Sequence, residues 1–427
     1  MLTLFGKKHT LCDGITRRNF LKIGAFGAGL TLADMLRANA AANGKASRPK
    51  SVIMVWQCGG PPHQDTYDLK PDAPAEIRGE FQPIATNVPG IQISEYYPLQ
   101  AKIFDKLAVI RSVRPVDGGH SDWGVSTGYN EESNKREHHP SLGSVISKVR
   151  GGSNADVPPY VSLRGTTPAL QAGYLGVAHN PFTPSGPGIE NLRLARGVEA
   201  PQLDDRRHLL SSFDTLRRDL DSSGSMSALD AHNARAFDMI ASGAVRNALD
   251  LSREPQAGRD RYKGIEGFLT ARRLVEAGVG CITLCLGGSI WDTHSNNFPT
   301  LKQAMPPLDR ALFHLINDLH DRGLQDDVIT VACGEFGRTP RINKEGGRDH
   351  HGSVMSVLVA GGGLKMGQVI GSTDARAERI KDRPYSLPQV YSTVYRALGI
   401  DPSQTFPNAA GRPMYILDDR DPVTELL

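Results

Sequence analysis

The chain has 427 residues and carries 49 Lys and Arg against 46 Asp and Glu, which gives a formal net charge of +3. This near balance excludes the strongly basic surface that non-specific nucleic-acid binding requires. The length is sufficient for one large α/β domain or two smaller ones. The five cysteines show no paired CxxC spacing, so no cysteine-based metal motif is indicated.

The N-terminal segment has the pattern of a twin-arginine export signal. Arg17 and Arg18 are followed by a short apolar stretch over residues 23–36 and by small residues at 38–40. The stretch is too short to span a bilayer, although a retained anchor is the alternative. We therefore expect residues 1–40 to be a signal peptide that the twin-arginine machinery reads, and a periplasmic or extracellular protein without a stable membrane span. This pathway carries folded proteins, often with their cofactor loaded.

Strands and helices alternate along the rest of the chain. The apolar run Ser51–Trp56 predicts a strand buried on both faces, and residues 107–110 repeat the pattern. Further strands are predicted at 279–286, 328–331 and 354–359, and helices at 209–220, 266–277 and 308–319. The alternation predicts an α/β fold with a mostly parallel sheet sandwiched by helices. We expect a single domain over residues 51–418, with a polar helical insertion around 200–260.

Four of the cysteines fall in or just after predicted strands. Cys281 and Cys285 are four residues apart in one strand and face the same side, as small buried apolar residues do. Cys58 and Cys333 each follow a strand, so they could pair in an oxidising compartment. Buried free thiols are the favoured interpretation of this second pair.

Three polar clusters in the last third of the chain have the composition of a metal site. They are residues 291–294 (WDTH), 334–340 (GEFGRTP) and 347–351 (GRDHH). Carboxylate oxygens and imidazole nitrogens bind Zn²⁺, Mn²⁺ or Fe, and a site with both activates water at neutral pH. The alternative is that each cluster is a capped turn with surface histidines. We predict a divalent metal ion whose ligands come from Asp292, His294, Glu335, Asp349, His350 and His351.

The clusters also fall where an open α/β sheet binds its ligands, at the carboxyl ends of the strands. The loop after the first strand, the loop that carries His120, the 291–294 cluster and Glu335 all follow such ends. Residues 349–351 are the exception because they precede their strand. We therefore predict that the strand at 354–359 is an antiparallel edge strand, which would bring this loop to the same rim.

Several motifs together resemble one protein family. They are GGP at 59–61 with DTYDLKP at 65–71, IRSV at 110–113, ARRLVEAGV at 271–279, WDTH at 291–294, GEFGRTP at 334–340, GRDH at 347–350 and GGGL at 361–364. With these motifs, residues 51–418 resemble the bacterial DUF1501 family, which is distantly related to the alkaline phosphatase and sulfatase superfamily. The superfamily resemblance implies an alkaline-phosphatase-like core and two divalent ions held by Asp and His at the strand ends. It also implies a Ser, Thr or modified Cys nucleophile at the start of a helix.

The chain departs from the superfamily pattern in two places. Residues 57–60 (QCGG) stand where the resemblance implies a first metal-binding Asp. His63, Asp65 and Asp68 in the following loop either replace that ligand or have the structural role of fixing the turn before Pro71. The region at 118–121 (GGHS) offers His120 and Ser121 without a CxPxR signature, which argues against a formylglycine sulfatase. The predicted nucleophile is therefore Ser121 beside His120, or else a bound water.

Other candidate residues each have two interpretations. Arg338 is predicted to hold an anionic oxygen of the substrate, or else to form a structural salt bridge. Glu335 is either a ligand or a buried hydrogen-bond hub, and His351 is either a ligand or a residue that orients one. His138 and His139 are predicted to lie on the surface, before a helix that Ser141 caps.

These features predict an exported, metal-dependent hydrolase of phosphate or sulfate esters, with an anionic ester as its substrate. The alternative is a catalytically degenerate relative that acts as a metal-stabilised binding protein for an anionic polymer or a partner protein. The missing strand-end Asp favours that alternative. The sequence leaves the choice of ester, the metal and the oligomeric state open.

Overall fold

The computed structural model describes residues 51–184 and 243–427, apart from residues 155, 287 and 289. The export signal, the helix predicted at 209–220 and most of the polar insertion lie outside the described residues. All described residues belong to one compact unit, Pro49–Leu427. Within the described ranges, no helix has both the length and the apolar character needed to cross a bilayer.

The strands of the described ranges are short except at the centre of the main sheet. They are β1 (Ser51–Trp56), β2 (Pro83–Ala85), β3 (Gln92–Ser94), β4 (Leu107–Arg114), β5 (Tyr160–Ser162), β6 (Cys281–Cys285), β7 (Val328–Cys333), β8 (Gly337–Arg338), β9 (His350–His351), β10 (Met355–Gly361), β11 (Gln368–Ile370), β12 (Ser372–Thr373), β13 (Ile380–Asp382), β14 (Tyr385–Ser386), β15 (Thr405–Pro407) and β16 (Pro413–Tyr415).

The helices of the same ranges include two long ones, α9 and α10. The set is α1 (His63–Thr66), α2 (Ala75–Arg78), α3 (Pro98–Ala101), α4 (Asp122–Thr127), α5 (Glu131–Glu137), α6 (Leu142–Val149), α7 (Ala244–Leu249), α8 (Gln256–Arg261), α9 (Glu266–Ala277), α10 (Asn297–Asp321) and α11 (Leu387–Ala397).

One eight-stranded sheet forms the centre of the molecule. Its order is β11-β4-β10-β7-β1-β6-β5, and β14 also pairs with β4. Strand β1 runs parallel to β6 and β7, whereas β10 runs antiparallel to both of its neighbours, β4 and β7. The predicted α/β fold with a mostly parallel sheet is confirmed, as is the antiparallel direction of β10. Its predicted place at the edge is wrong, because β10 is paired on both sides and lies inside the sheet.

Helices cover both faces of this sheet, and β1 shows why. Its six residues are all buried. Successive side chains of a strand point to opposite faces. Ile53 and Val55 therefore pack into the core shared with α9 and α10, whereas Val52 and Met54 pack into the core shared with α6 and α11. This two-sided burial accounts for the continuous apolar run.

The segment before α6 corrects one sequence prediction. Ser141 caps α6 by accepting a hydrogen bond from the Ser144 N–H, and His138 is exposed, both as predicted. His139 is buried, because the left-handed backbone at His138 turns the next residue inward. Its ring stacks on Tyr129 at 3.5 Å between centroids, and burial lowers the pKa of His139 to about 4. The predicted surface position of His139 is therefore wrong.

The loops that carry the polar clusters meet at the carboxyl edge of the sheet. Residues 57–62 follow β1, residues 115–121 follow β4, residues 286–296 follow β6, and residues 334–336 follow β7. The hairpin of β8 and β9 precedes β10. Because β10 is antiparallel, its amino end lies at the edge where the parallel strands finish.

Candidate metal centre

Four side chains from three of these loops converge at the carboxyl edge. His120 lies in the loop before α4, Asp292 and His294 lie between β6 and α10, and His350 lies in β9. One nitrogen or oxygen of each lies within 4.8 Å of the corresponding atoms of the other three. Among the described residues, these four are the cluster of His, Cys, Asp and Glu with metal-ligand spacing. The predicted residues Asp292, His294 and His350 therefore meet, together with His120.

The contacts within the cluster are short. His350 Nε2 lies 3.0 Å from His294 Nε2 and 3.1 Å from His120 Nε2. The Asp292 carboxylate lies 3.2 Å from the Nε2 atoms of His120 and His294 and 3.7 Å from that of His350. In a tetrahedral zinc site with ligand bonds of about 2.0–2.1 Å, neighbouring donor atoms are roughly 3.3–3.4 Å apart. These five separations bracket that value, and the donor atoms of His120 and His294 lie within 4.8 Å of each other.

Carboxylates fix the ring orientation of two of the histidines. His120 Nδ1 lies 3.1 Å from Glu335 Oε1, and His294 Nδ1 lies 2.7 Å from Asp349 Oδ1. The hydrogen bond with His294 lowers the pKa of Asp349. An ionised carboxylate accepts the Nδ1–H, which leaves the Nε2 lone pair directed at the cluster. Glu335 and Asp349 thus orient two of the imidazoles and lie outside the set of four converging side chains.

Glu335 is the centre of a buried hydrogen-bond network. Its Oε1 also accepts from the Gly59 backbone N–H at 2.8 Å, and its Oε2 accepts from Trp56 Nε1 at 3.0 Å. These bonds use both oxygens and connect the end of β1 to His120. Of its two sequence interpretations, the structure therefore favours the hydrogen-bond hub. The sequence alone does not indicate this role for Trp56, because an aromatic residue at the end of a buried strand is typical of a hydrophobic core.

Arg338 binds the Asp292 carboxylate from the buried side of the cluster. Its side chain is fully buried and donates to the backbone oxygens of Gly59, Gly60 and Arg348, and to Asp292 Oδ1 at 2.6 Å. The expected role as a clamp for a substrate oxygen is not supported by this geometry, because every polar atom of the guanidinium is engaged. Burial opposes ionisation of Asp292, but the hydrogen bond and charge of Arg338 lower its pKa overall.

The glycine at the end of β1 allows this packing. Gly59 has a φ of +110°, and a Cβ added there would lie 2.5 Å from the Asp292 backbone nitrogen. Only glycine combines this conformation with so close an approach. The loop after β1 therefore packs directly against the segment that carries Asp292.

A cation fits the space between these donor atoms. When His120 and His294 donate their Nδ1–H groups outward as neutral imidazoles, their Nε2 lone pairs face the Asp292 carboxylate with no proton between them, and a cation relieves that repulsion. Burial, together with Arg338 and the other two histidines, lowers the pKa of His350. That shift favours the neutral imidazole, which is the form that binds a metal. The donor set of three imidazoles and one carboxylate thus fits a divalent transition metal.

The cluster is also open to solvent. The side chains of Asp292 and His350 are about 30% exposed, and those of His120 and His294 are more so. Water or a ligand can therefore reach the position that the four donor atoms surround, which a structural zinc site normally prevents.

Two predicted site residues lie apart from the cluster. His351 Nε2 contacts the Glu378 backbone oxygen at 2.8 Å, because adjacent strand residues point to opposite sides. The Ser121 hydroxyl is buried and has no hydrogen-bond partner among the described residues. It borders the carboxylates of Asp117 and Glu131. The structure therefore does not place Ser121 Oγ in contact with the four donor atoms.

The loop after β1 does not supply the missing strand-end Asp. Asp65 is fully buried and forms a bidentate pair with Arg348 at 2.7 and 2.8 Å. Asp68 pairs with Lys70 at 2.9 Å and accepts from Thr373. His63 Nε2 contacts a backbone oxygen at 2.9 Å. Of the two sequence interpretations, the structural one applies to these residues.

Solved structures of similar fold have low sequence identity to this chain. PsFucS1 sulfatase from Pseudoalteromonas sp. is 13% identical with a TM-score of 0.37, covering 86% of this chain and 70% of that one. The phosphonate monoester hydrolase SpPMH from Silicibacter pomeroyi is 12% identical with a TM-score of 0.33, covering 82% and 74%. At these values the structural similarities say nothing about the activity of this chain.

No curated protein matches the chain. A family model described as "Protein of unknown function (DUF1501)" matches residues 49–427. This match covers most of the chain and confirms the family resemblance predicted from the sequence motifs. The chain belongs to the DUF1501 family.

Proposed function

We propose that this chain is an exported, metal-dependent hydrolase of phosphate or sulfate esters. One observation carries the proposal. Three imidazole Nε2 atoms and the Asp292 carboxylate converge at the carboxyl edge of the sheet, and two of the imidazoles have their Nδ1 atoms committed to carboxylates. The export part rests on Arg17 and Arg18 and the apolar stretch that follows them.

The residues that would hold the ion are His120, Asp292, His294 and His350. A divalent ion bound there supplies a Lewis acid for the ester oxygen and lowers the pKa of a coordinated water. Glu335 and Asp349 keep two of the imidazoles in the tautomer that binds. The partial exposure of the four side chains leaves room for an anionic ester at the same point.

The attacking group in this proposal is water. The buried Ser121 hydroxyl borders Asp117 and Glu131 instead of the four donor atoms. A serine nucleophile has to face the ester that the bound ion would hold, and a carboxylate beside its hydroxyl does not replace that contact. Replacing Ser121 with Ala should therefore leave the rate of ester hydrolysis nearly unchanged.

A binding protein without turnover is the second candidate. The specific observation that favours it is the commitment of Arg338, whose guanidinium is engaged by Gly59, Gly60, Arg348 and Asp292. That arginine cannot turn to a substrate oxygen without leaving buried acceptors unpaired. In this case the ion would stabilise a surface that binds an anionic polymer or a partner protein.

Metal analysis combined with an ester screen tests the proposal. Protein exported through its native pathway should contain one equivalent of a transition metal and hydrolyse an aryl phosphate or an aryl sulfate. Asp292→Asn should lose both metal and hydrolysis. Asp382→Asn is the matched control, because that carboxylate is exposed and pairs only weakly with Arg383. Bound metal without hydrolysis would favour the binding protein, and the absence of bound metal would overturn both candidates.

A further inference from the structure

Two cysteines meet beside the metal cluster, in a pairing that differs from the one considered on sequence grounds. Cys58 Sγ lies 2.7 Å from Cys285 Sγ, whereas Cys281 and Cys333 are fully buried free thiols. The register explains the pairing. Trp56 at the end of β1 lies beside Cys285 at the end of β6, so the next turn of the chain brings Cys58 over it. The register between two strands cannot be read from the sequence, so the sequence alone does not distinguish Cys285 from Cys333 as the partner of Cys58.

We propose that Cys58 and Cys285 form a disulfide on exposure to a disulfide oxidant, and that this bond tethers the loop that supports the metal ligands. A covalent disulfide has sulfurs about 2.0 Å apart, so closure needs a movement of less than about 1 Å. The proposal goes beyond the hydrolase function. Its tether component rests on the proposed metal site, whereas the bond itself does not.

The surroundings favour oxidation over metal binding by the two sulfurs. Arg164 Nη2 lies 3.7 Å from Cys58 Sγ, and the guanidinium stacks 3.8 Å from the centroid of the Trp56 ring. A fixed positive charge at this distance opposes a cation between the sulfurs and favours a thiolate. The hydrogen bond with Cys58 lowers the pKa of Cys285, and the same hydrogen bond together with burial raises the pKa of Cys58.

Access differs between the two thiols and sets the order of the exchange. Cys285 is half-buried, whereas Cys58 is buried. The Cys285 thiolate attacks one sulfur of a small disulfide, breaks its S–S bond and releases one thiolate. The Cys58 sulfur, after losing its proton, then attacks Cys285 and releases the second thiol. The protein loses two protons and two electrons, and the small disulfide becomes two thiols.

The tether would act on the cluster through the residue after Cys58. The Gly59 N–H donates to Glu335, which holds His120, and the Gly59 oxygen accepts from Arg338, which holds Asp292. One loop thus supports two of the four donor side chains. Linking that loop to β6 restricts its movement, so the oxidised protein should bind metal more tightly than the reduced protein.

Peptide mapping after oxidation tests the bond. Full-length protein is incubated with glutathione disulfide, denatured in the presence of an alkylating agent and digested. We expect a peptide that links Cys58 to Cys285, with Cys281 and Cys333 alkylated. In Cys58→Ser the glutathione should remain attached to Cys285. Alkylation of both Cys58 and Cys285 in the wild type, or a link from Cys58 to Cys333, would overturn the proposal.

Thermal unfolding and zinc titration test the tether. Oxidised wild type should melt several degrees above reduced wild type and bind Zn²⁺ at least threefold more tightly, and the double variant with Cys58→Ser and Cys285→Ser should lose both differences. Cys281→Ser is the matched control and should keep them. Equal affinity in the two redox states would overturn the tether. If neither state binds Zn²⁺, the metal site fails while the mapped disulfide still stands.

Discussion

The hydrogen bonds of Glu335 predict a measurable effect of one buried substitution, Glu335→Gln. Three donors meet at this carboxylate, from the Gly59 backbone, His120 Nδ1 and Trp56 Nε1. A glutamine has one accepting oxygen and one amide group that only donates. Its oxygen can keep the bonds from Gly59 and His120 while the amide group faces Trp56 Nε1, or it can keep the bond from Trp56 while the amide group faces Gly59 and His120. Either Trp56 or His120 loses its acceptor.

The size of the effect follows from what Glu335 does to His120. Carboxylates that orient a metal-binding histidine contribute about tenfold to 100-fold in metal affinity, or roughly 1.4–2.8 kcal/mol. We expect the lower end if Trp56 loses its bond and the upper end if His120 does. Losing a ligand itself should weaken binding further, because a donor atom then leaves the ion.

Competition with a chelator measures the affinity of each variant for Zn²⁺, and thermal unfolding in EDTA reports whether the metal-free fold survives. Glu345→Gln is the matched control, because its carboxylate is exposed and pairs with Lys344 at 3.5 Å. If Glu335→Gln keeps the wild-type affinity within about twofold and still folds, the assignment of Glu335 as the residue that orients His120 is refuted.

Three further predictions use other parts of the chain. His350→Ala should abolish stoichiometric metal in elemental analysis whereas His351→Ala should retain it; equal losses would contradict the different directions of the two rings. Burial lowers the pKa of His63 to about 4, so the unfolded chain takes up this proton first as pH falls below about 6.5. The free energy of unfolding, measured in urea, should therefore fall between about pH 6.5 and pH 4, by on the order of 3 kcal/mol from this group. His63→Gln should remove this contribution to the pH dependence. A variant with the wild-type pH dependence would argue against a buried neutral His63. Changing Arg17 and Arg18 to Lys should leave precursor in the cytoplasm on cell fractionation, because the export receptor reads the guanidinium pair; unchanged export would remove the signal assignment.

Much of the fold was predictable because the strongest patterns are local. The run Ser51–Trp56 and the helix Glu266–Ala277 have the bounds predicted for them. The helix predicted at 308–319 extends back to Asn297, since Pro306 and Pro307 in its middle conceal the continuous pattern. The place of β10 inside the sheet was not predictable, because strand order depends on contacts between distant segments.

The site was predictable by residue type and less so by role. Asp292, His294 and His350 meet as expected, since strand-end loops gather at one edge. Which carboxylate orients a histidine and which one faces the three imidazole Nε2 atoms depends on side-chain direction, so the sequence does not separate Glu335 and Asp349 from Asp292. The cysteine pairing needed the register of β1 against β6.

The central claim is that one divalent ion is held by His120, Asp292, His294 and His350. Anomalous diffraction at the absorption edge of the metal found by elemental analysis, on crystals of the exported protein, tests it most directly. The account predicts one peak with Nε2 and carboxylate atoms at about 2.0–2.3 Å. Histidines at this position bonded only to water and to each other, with no anomalous peak among them, would contradict it.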